Sequence, residues 1–237
     1  MKVTLLPAFE DNYIFLLEHL GEAMVVDPGD AQPVIDFLKQ NHLNLKAVLQ
    51  THHHWDHVGG TQKLHQRYAC DVYTPHFEGD RYKVSSHMLK EGDHILFHDQ
   101  SINVLETPGH TYDHISYHVP CMNVLFSGDT LFNMGCGRVF DGSMESLYES
   151  LQKIKELPSE TQVYCAHEYT LHNIAFAKSA QPSDALSTYQ KKCANLREKN
   201  QPTVPFSLKE NIVLNPFLKA PTLDAFTDLR QKKDSFS

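Results

Sequence analysis

A short apolar run, Ala47-Val48-Leu49-Gln50, delivers the chain into Thr51-His52-His53-His54-Trp55-Asp56-His57-Val58-Gly59-Gly60. Four metal-ligand types, ordered His-x-His-x-Asp-His, fall within six residues there. Imidazole and carboxylate suit zinc and non-haem iron. His52 and His54, two apart, can converge on one ion. Asp56 and His57 then lie within reach of a second. Two metals ~3.5–4 Å apart can activate a water between them and polarise a carbonyl. The chain has 16 histidines in 237 residues, so chance supplies some clustering, and His53 reads as the bystander.

The same design recurs downstream. Residues 101–105 run into Thr107-Pro108-Gly109-His110, residues 123–127 into Gly128-Asp129-Thr130, and residues 163–166 into His167-Glu168-Tyr169. Four short apolar strands thus end in turns that present His or Asp. The carboxyl ends of strands are where layered α/β folds build their sites. Upstream, 13–17 and 23–29 read as strands, and 32–41 as a helix with Val34, Ile35, Phe37 and Leu38 on one side. Residues 61–68 read as a helix, 72–105 as short strands between polar turns, and 115–119 as a strand. After Tyr169 strand signals thin out. Residues 173–178, 185–199 and 223–233 have helical spacing, interrupted by Pro202, Pro205 and Pro216. The expected organisation is an α/β catalytic domain over 1–168 and a smaller helical domain over 169–237.

A chain of this length can bury one large core, or one large and one small domain. The formal charge of −8 argues against nucleic acid as a partner, since such proteins show a basic domain or stripe. No run approaches the ~20 apolar residues needed to span a bilayer. The first eleven residues lack a long apolar segment and turn acidic at Glu10 and Asp11, unlike a signal peptide. The expected location is the cytoplasm, with no membrane partner. The five cysteines, Cys70, Cys121, Cys136, Cys165 and Cys193, are odd in number and form no C-x-x-C pair. They read as reduced, mostly buried thiols. Cys136 and Cys165 sit near the motifs but lack an uncommitted histidine to activate them.

Arg230 and Lys233 lie three apart on the last predicted helix and project from one face. With Arg138 they can clamp a carboxylate. The alternative is a solvated basic helix end favoured by the helix dipole.

Taken in order, His52, His54, Asp56, His57, His110, Asp129 and His167 resemble the ligand series of the metallo-β-lactamase superfamily. That resemblance implies an α/β fold, a four-layer αβ/βα sandwich with the site at one edge, followed by the smaller helical domain. It implies His52, His54 and His110 on one metal, Asp56, His57 and His167 on the other, and Asp129 bridging both. Asp27, in Asp27-Pro28-Gly29, matches an early aspartate that supports the ligands rather than binding metal.

The segments Asp11-Asn12-Tyr13, Gly135-Cys136-Gly137-Arg138, Ala166-His167-Glu168-Tyr169-Thr170 and Arg230-Gln231-Lys232-Lys233-Asp234 narrow the resemblance to glyoxalase II, the hydroxyacylglutathione hydrolases, over nearly the whole chain. The implied reaction is hydrolysis of S-(2-hydroxyacyl)glutathione thioesters, S-lactoylglutathione giving lactate and glutathione, the second step of methylglyoxal detoxification. A hydroxide bridging two divalent ions would attack the thioester carbonyl, with Asp56 and Asp129 holding the metals and orienting it. Zinc is the first choice, with iron or manganese as alternatives. Arg138, Tyr169, Arg230 and Lys233 would contact glutathione. Phe140 stands where the family often has tyrosine, and Asp113 where it often has glycine. The implied partner is the small-molecule thioester alone, acting on a monomer. The runner-up is another enzyme on the same fold, a mono-iron persulfide dioxygenase, followed by a non-catalytic metal-binding module.

Overall fold

The computed structural model describes residues 1–236. Packing divides the chain into two compact units, Met1–Glu106 with Asp113–Met122, and Thr107–Tyr112 with the chain from Asn123 onward. The expected boundary at 168/169 falls inside the second unit.

The first unit contains β1 (Lys2–Ala8), β2 (Asn12–His19), β3 (Glu22–Val26), α1 (Ala31–Gln40), β4 (Asn44–Leu49), α2 (Trp55–Val58), α3 (Thr61–Tyr68), β5 (Asp71–Pro75), β6 (His87–Leu89), β7 (His94–Phe97), β8 (Gln100–Glu106) and β9 (Ile115–Val119). Strands β1 to β6 form one sheet in chain order. The pairs β1–β2 and β2–β3 are antiparallel, and β3 through β6 run parallel. Parallel strands covered on both faces need unbroken apolar runs, which Ala23-Met24-Val25-Val26 and Ala47-Val48-Leu49 supply. Ile14, Leu16, Val25, Val48 and Val72 pack with Val34, Ile35 and Leu38 of α1 and Leu64 of α3. The α1 residues recur at helical spacing, and Asp30 caps the helix by accepting from Gln32 N at 2.9 Å. Strands β7, β8 and β9 form an antiparallel meander.

The second unit contains β10 (Val124–Gly128), β11 (Leu131–Phe132), β12 (Gly135–Cys136), α4 (Met144–Lys155), β13 (Gln162–Cys165), α5 (Thr170–Ala180), α6 (Asp184–Glu198), β14 (Phe206–Ser207), α7 (Leu208–Leu214), α8 (Pro216–Lys219) and α9 (Leu223–Asp234). β10 pairs parallel with β13, β14 adds antiparallel to β13, and β11–β12 is a hairpin. A core of Met134, Ile174, Ala177, Leu186, Tyr189 and Cys193 joins α5 and α6 to that hairpin. Buried amides complete the join. Asn211 Oδ1 accepts from Met134 N at 2.8 Å, and Asn215 Nδ2 donates to Gly135 O at 3.0 Å. The sequence pattern alone marked no element at 143–155. There α4 buries Leu147, Leu151 and Ile154, and Ser143 and Ser146 form a reciprocal cap at its start.

The four expected donor-bearing strand ends are present. β4, β8, β10 and β13 stop at Leu49, Glu106, Gly128 and Cys165, each just before its His or Asp. A register shift between Phe126 and Gly128 bends the end of β10 ahead of Asp129.

Candidate metal centre

In the first unit, β4 gives way to Gln50, Thr51 and the three consecutive histidines, and the single helical turn α2 carries Asp56 and His57. One buried carboxylate organises the segment. Asp27, 3% exposed, accepts from Thr51 N through Oδ1 at 2.8 Å. Its Oδ2 accepts from Thr51 Oγ1 at 2.6 Å and from His57 Nδ1 at 2.9 Å. Because an ionised carboxylate only accepts, the His57 proton sits on Nδ1, leaving the Nε2 lone pair as a metal donor. Thr51 gives its hydroxyl proton to Asp27, so its oxygen accepts from His52 Nδ1 at 3.0 Å. His52 Nε2 then also carries a lone pair. Asp27, His52 and His57 each place a ligand atom within 4.8 Å of the others. Both oxygens of Asp27 are already engaged, so of the three it is the least suited to take an ion.

His52 Nε2 lies 3.1 Å from His54 Nδ1. Two ligand nitrogens on one tetrahedral zinc at ~2.0–2.1 Å stand about 3.3 Å apart, so this spacing fits a shared ion. Asp56 Oδ2 lies 3.5 Å from His57 Nε2 and is held by Asn12 Nδ2 at 2.9 Å. The turn 27–29 comes against α2 so closely that a Cβ on Gly29 would stand 1.8 Å from Asp56 O.

His53 turns to a different cluster. Its Nδ1 lies 3.5 Å from Asp113 Oδ1, and Asp113 also accepts from Arg81 Nη1 at 3.0 Å and Tyr82 OH at 2.7 Å. Burial alone would raise the Asp113 carboxyl. The His53 and Tyr82 hydrogen bonds and the Arg81 charge overcome it and hold the group well below the usual carboxylate range. The Asp113 charge, at a position where the family often has glycine, is thus matched by Arg81, 32 positions upstream. His114 is fully buried, its ring stacked on His52 at 4.9 Å.

In the second unit, Asp129 Oδ2 lies 3.4 Å from both His110 Nε2 and His167 Nε2. His110 Nδ1 donates to Arg138 O at 2.7 Å, so in the neutral ring Nε2 presents a lone pair to that oxygen. Lone pairs facing lone pairs ask for a cation between them. Gly109, at φ +136°, makes the turn before His110, and a Cβ there would meet Leu147 of α4 at 2.4 Å. The His167 ring stacks on Tyr169 at 4.7 Å.

The expected glutathione contacts all lie on this unit. Arg138 is exposed, 5.9 Å over the Phe140 ring and 3.7 Å from Asp234. Phe140 packs edge-on to His110 at 5.2 Å. Arg230 and Lys233 do share a face of α9, but it is the buried one, with Phe226. The solvated helix end is thereby excluded. Arg230 Nη1 donates to Cys136 O at 2.9 Å and Gly137 O at 3.3 Å, and Nη2 to Asp234 at 3.1 Å. Arg230 Nε and Lys233 Nζ are buried without a hydrogen-bond partner among the described residues, and Lys233 Nζ stands 5.5 Å over the Phe176 ring and 5.3 Å over the Phe236 ring. Burial and the Arg230 charge pull Lys233 down to about 8. The thiols are inert, since burial pushes Cys136 up to about 11 and Cys165 up to about 12. No disulfide joins the cysteines among the described residues, and only Cys121 is exposed.

Asn12, Thr51 and the Arg138 carbonyl, which orient the donors, have no local signature. Their partners lie 44, 24 and 28 residues away for Asn12–Asp56, Thr51–Asp27 and Arg138–His110. Asn12 and Arg138 fell within segments quoted for the resemblance, but neither segment showed what they hold.

Comparison with known proteins bears on the donor set. Residues 8–167 match the model of the metallo-beta-lactamase superfamily, and residues 168–236 that of the hydroxyacylglutathione hydrolase C-terminus. A hydroxyacylglutathione hydrolase of Bdellovibrio bacteriovorus is 44% identical over 98% of this chain and 97% of its own. Among solved structures, ETHE1 from Myxococcus xanthus matches with a TM-score of 0.75 at 26% identity, covering 98% of this chain and 90% of that one. TTHA1623 in a di-iron-bound form matches with a TM-score of 0.60 at 26% identity, covering 70% of this chain and 92% of that one. The fold is accordingly the αβ/βα sandwich with a helical C-terminal region, and the His and Asp donors fit divalent metals.

Proposed function

The chain belongs to the hydroxyacylglutathione hydrolases of the metallo-β-lactamase superfamily and is a hydrolase of S-(2-hydroxyacyl)glutathione thioesters, and we propose that it works with two divalent ions held by seven side chains. His52, His54 and His110 would hold one, Asp56, His57 and His167 the other, and Asp129 both. Zinc suits these donors best, and iron or manganese would be accepted. The observation that carries the reading is the convergence of ligand-type atoms: His52 Nε2 stands 3.1 Å from His54 Nδ1, and Asp129 Oδ2 stands 3.4 Å from Nε2 of both His110 and His167. Two donors that share one zinc stand about 3.3 Å apart, so such spacings suit a shared ion. The di-iron form of TTHA1623, a structural relative, also supports a pair.

When bound, such ions lower the pKa of a water toward ~7 and polarise the carbonyl. The rest is performed by the chain. Asp27 and Thr51 fix the tautomers of His57 and His52, and the Arg138 carbonyl fixes that of His110. Asn12 orients Asp56. Lys233 Nζ and Arg230 Nε offer buried donors suited to a glutathione carboxylate, with Tyr169, Arg138 and Phe140 as further contacts. Phe140 offers no hydroxyl, so its part is limited to packing. The leaving group is a thiolate whose conjugate acid has a pKa of ~8.5, so it departs without a strong general acid.

We keep 1–168 as the catalytic segment and 169–237 as the glutathione-binding one, supported by the ends of the two family matches. We take the chain to act as a cytoplasmic monomer without nucleic-acid or membrane partners. The charge of −8 supports the absence of a nucleic-acid partner, and five cysteines without a disulfide support a reducing compartment. No helix among the described residues is long and apolar enough to cross a membrane. The match of the C-terminal region disfavours the dioxygenase alternative. The test is hydrolysis of S-lactoylglutathione, followed by loss of thioester absorbance, with metals counted per chain. Chelation should abolish turnover, and two equivalents of zinc should restore it. Full turnover by stripped protein, or restoration by one equivalent, refutes the pair.

A further inference from the structure

We infer that a cavity on the first unit, behind the histidine segment, binds small 2-hydroxy carboxylic acids, the class that the hydrolysis releases. The choice of ligand class rests on the proposed function; the existence of the site does not. The cavity measures about 250 Å³. Drug-sized ligands fill pockets of ~300–1,000 Å³, so this one suits a smaller molecule and excludes a whole glutathione thioester. None of the seven proposed metal ligands lines it.

Its lining prescribes the ligand. Gln50 forms part of the wall and is 2% exposed. Its Nε2 donates to Thr61 Oγ1 at 2.6 Å, while Oε1 has no partner among the described residues. A buried acceptor without a donor is costly, so an occupant should bring an N–H or O–H. Arg81 and Lys83 contribute positive charge, and none of the lining residues carries a carboxylate. The Arg81 charge is matched by Asp113, which also anchors Tyr82 and so fixes the wall that bears Lys83. Lys83, exposed, is left as the cation for an anionic ligand. Trp55, Val58 and Val84 add apolar surface. A hydroxyl donor beside a carboxylate, with an apolar substituent, is a 2-hydroxy acid. His53 and Trp55 also line the cavity and alternate in sequence with His52, His54 and Asp56, so an occupant touches the metal-ligand segment from behind.

Trp55 is the single tryptophan of the chain and reports on the cavity directly. The test is its emission in the metal-loaded full chain, titrated with 2-hydroxyisocaproate and, separately, with isocaproate. The hydroxy acid should saturate the signal and bind at least about tenfold tighter than the acid without the hydroxyl, the worth of one good hydrogen bond. Lys83→Met should weaken both by about tenfold or more, and Gln50→Met should make the two acids equal. Should Gln50→Met fail to fold, Lys83→Met, at an exposed position, decides. Equal binding of the two acids by the parent overturns the inference. So does a response that survives Lys83→Met, which places the acid at the metals, and so does no response, which leaves the cavity to water. Hydrolysis measured on the same preparation separates the two readings. A parent that turns over thioester but lacks Lys83-dependent binding overturns this inference alone. One that binds the acid but hydrolyses nothing overturns the proposed reaction instead.

Discussion

Asp27→Asn isolates the contribution of a residue that touches neither metal nor substrate. The native carboxylate accepts three hydrogen bonds, from Thr51 N at 2.8 Å, Thr51 Oγ1 at 2.6 Å and His57 Nδ1 at 2.9 Å. Asparagine keeps one acceptor atom and replaces the other with a donor. If the amide oxygen faces His57, the amide nitrogen confronts the Thr51 N–H. If the nitrogen faces His57, the Nδ1 proton loses its acceptor and the ring is driven to carry its proton on Nε2, where a metal needs the lone pair. Either way one buried donor goes unsatisfied, which costs ~1–3 kcal/mol. For a chain of this size that is a fall of about 2–12 °C in the Tm of the metal-free protein, at ~2–4 °C per kcal/mol. Loss of a partner behind a metal ligand typically weakens metal binding ~10–100-fold, equivalent to ~1.4–2.7 kcal/mol. Metal content across chelator-buffered zinc, thioester turnover at each free zinc concentration, and thermal unfolding after stripping read these effects separately. An Asn variant that loads at the parent's zinc concentration and unfolds at the parent's temperature refutes the role given to Asp27.

Four further outcomes are expected. Asp129→Asn should lower metal content and kcat/KM together, kcat/KM by more than about a hundredfold, since it removes a proposed ligand rather than an outer partner; unchanged metal content and rate would contradict the bridging role. Lys233→Met should raise KM about tenfold or more with kcat kept, as for loss of a hydrogen bond to a charged group, and a pure kcat loss would rule out carboxylate binding. Because burial and Arg230 hold Lys233 near 8, its cation is lost as pH rises through that value; KM should therefore climb above pH 8 in the parent and climb less in Lys233→Arg. Gly29→Ala should destabilise by at least ~1–3 kcal/mol in denaturant titration, because the new methyl meets the Asp56 backbone at 1.8 Å; an unshifted midpoint would mean that the turn 27–29 yields freely.

The strand ends were legible because each couples two local signals, an apolar run and a ligand-type side chain after it. Ile115–Val119 and Thr61–Tyr68 emerged with the bounds the sequence indicated. The single-turn α2 was not legible, because four residues cannot show a helical period. In α4 the spacing of Leu147, Leu151 and Ile154 is visible in the sequence, but no chemical motif draws attention to it. For the site, donors could be read from residue type and their supports could not. Which atom holds Asp56, His110 or His57 depends on pairings across 28 to 44 residues that only the fold brings about. Arg230 shows the same limit. Its position on a helix face was legible, but the carbonyls of Cys136 and Gly137 that engage it were not.

Those supports explain why the donors fit metal and not merely protons. His52, His57 and His110 each meet an oxygen through Nδ1: the Thr51 hydroxyl, the Asp27 carboxylate and the Arg138 carbonyl. Each contact fixes the proton on that side and turns the other nitrogen's lone pair inward. Here the His110 Nε2 lone pair is set against Asp129 Oδ2 at 3.4 Å. The folded chain carries that repulsion because rigid strand ends and oxygen-backed rings leave it no local escape. The free energy released when a cation enters is therefore larger than four or five flexible ligands would give, and the crowding that burdens the metal-free fold becomes affinity for the ion.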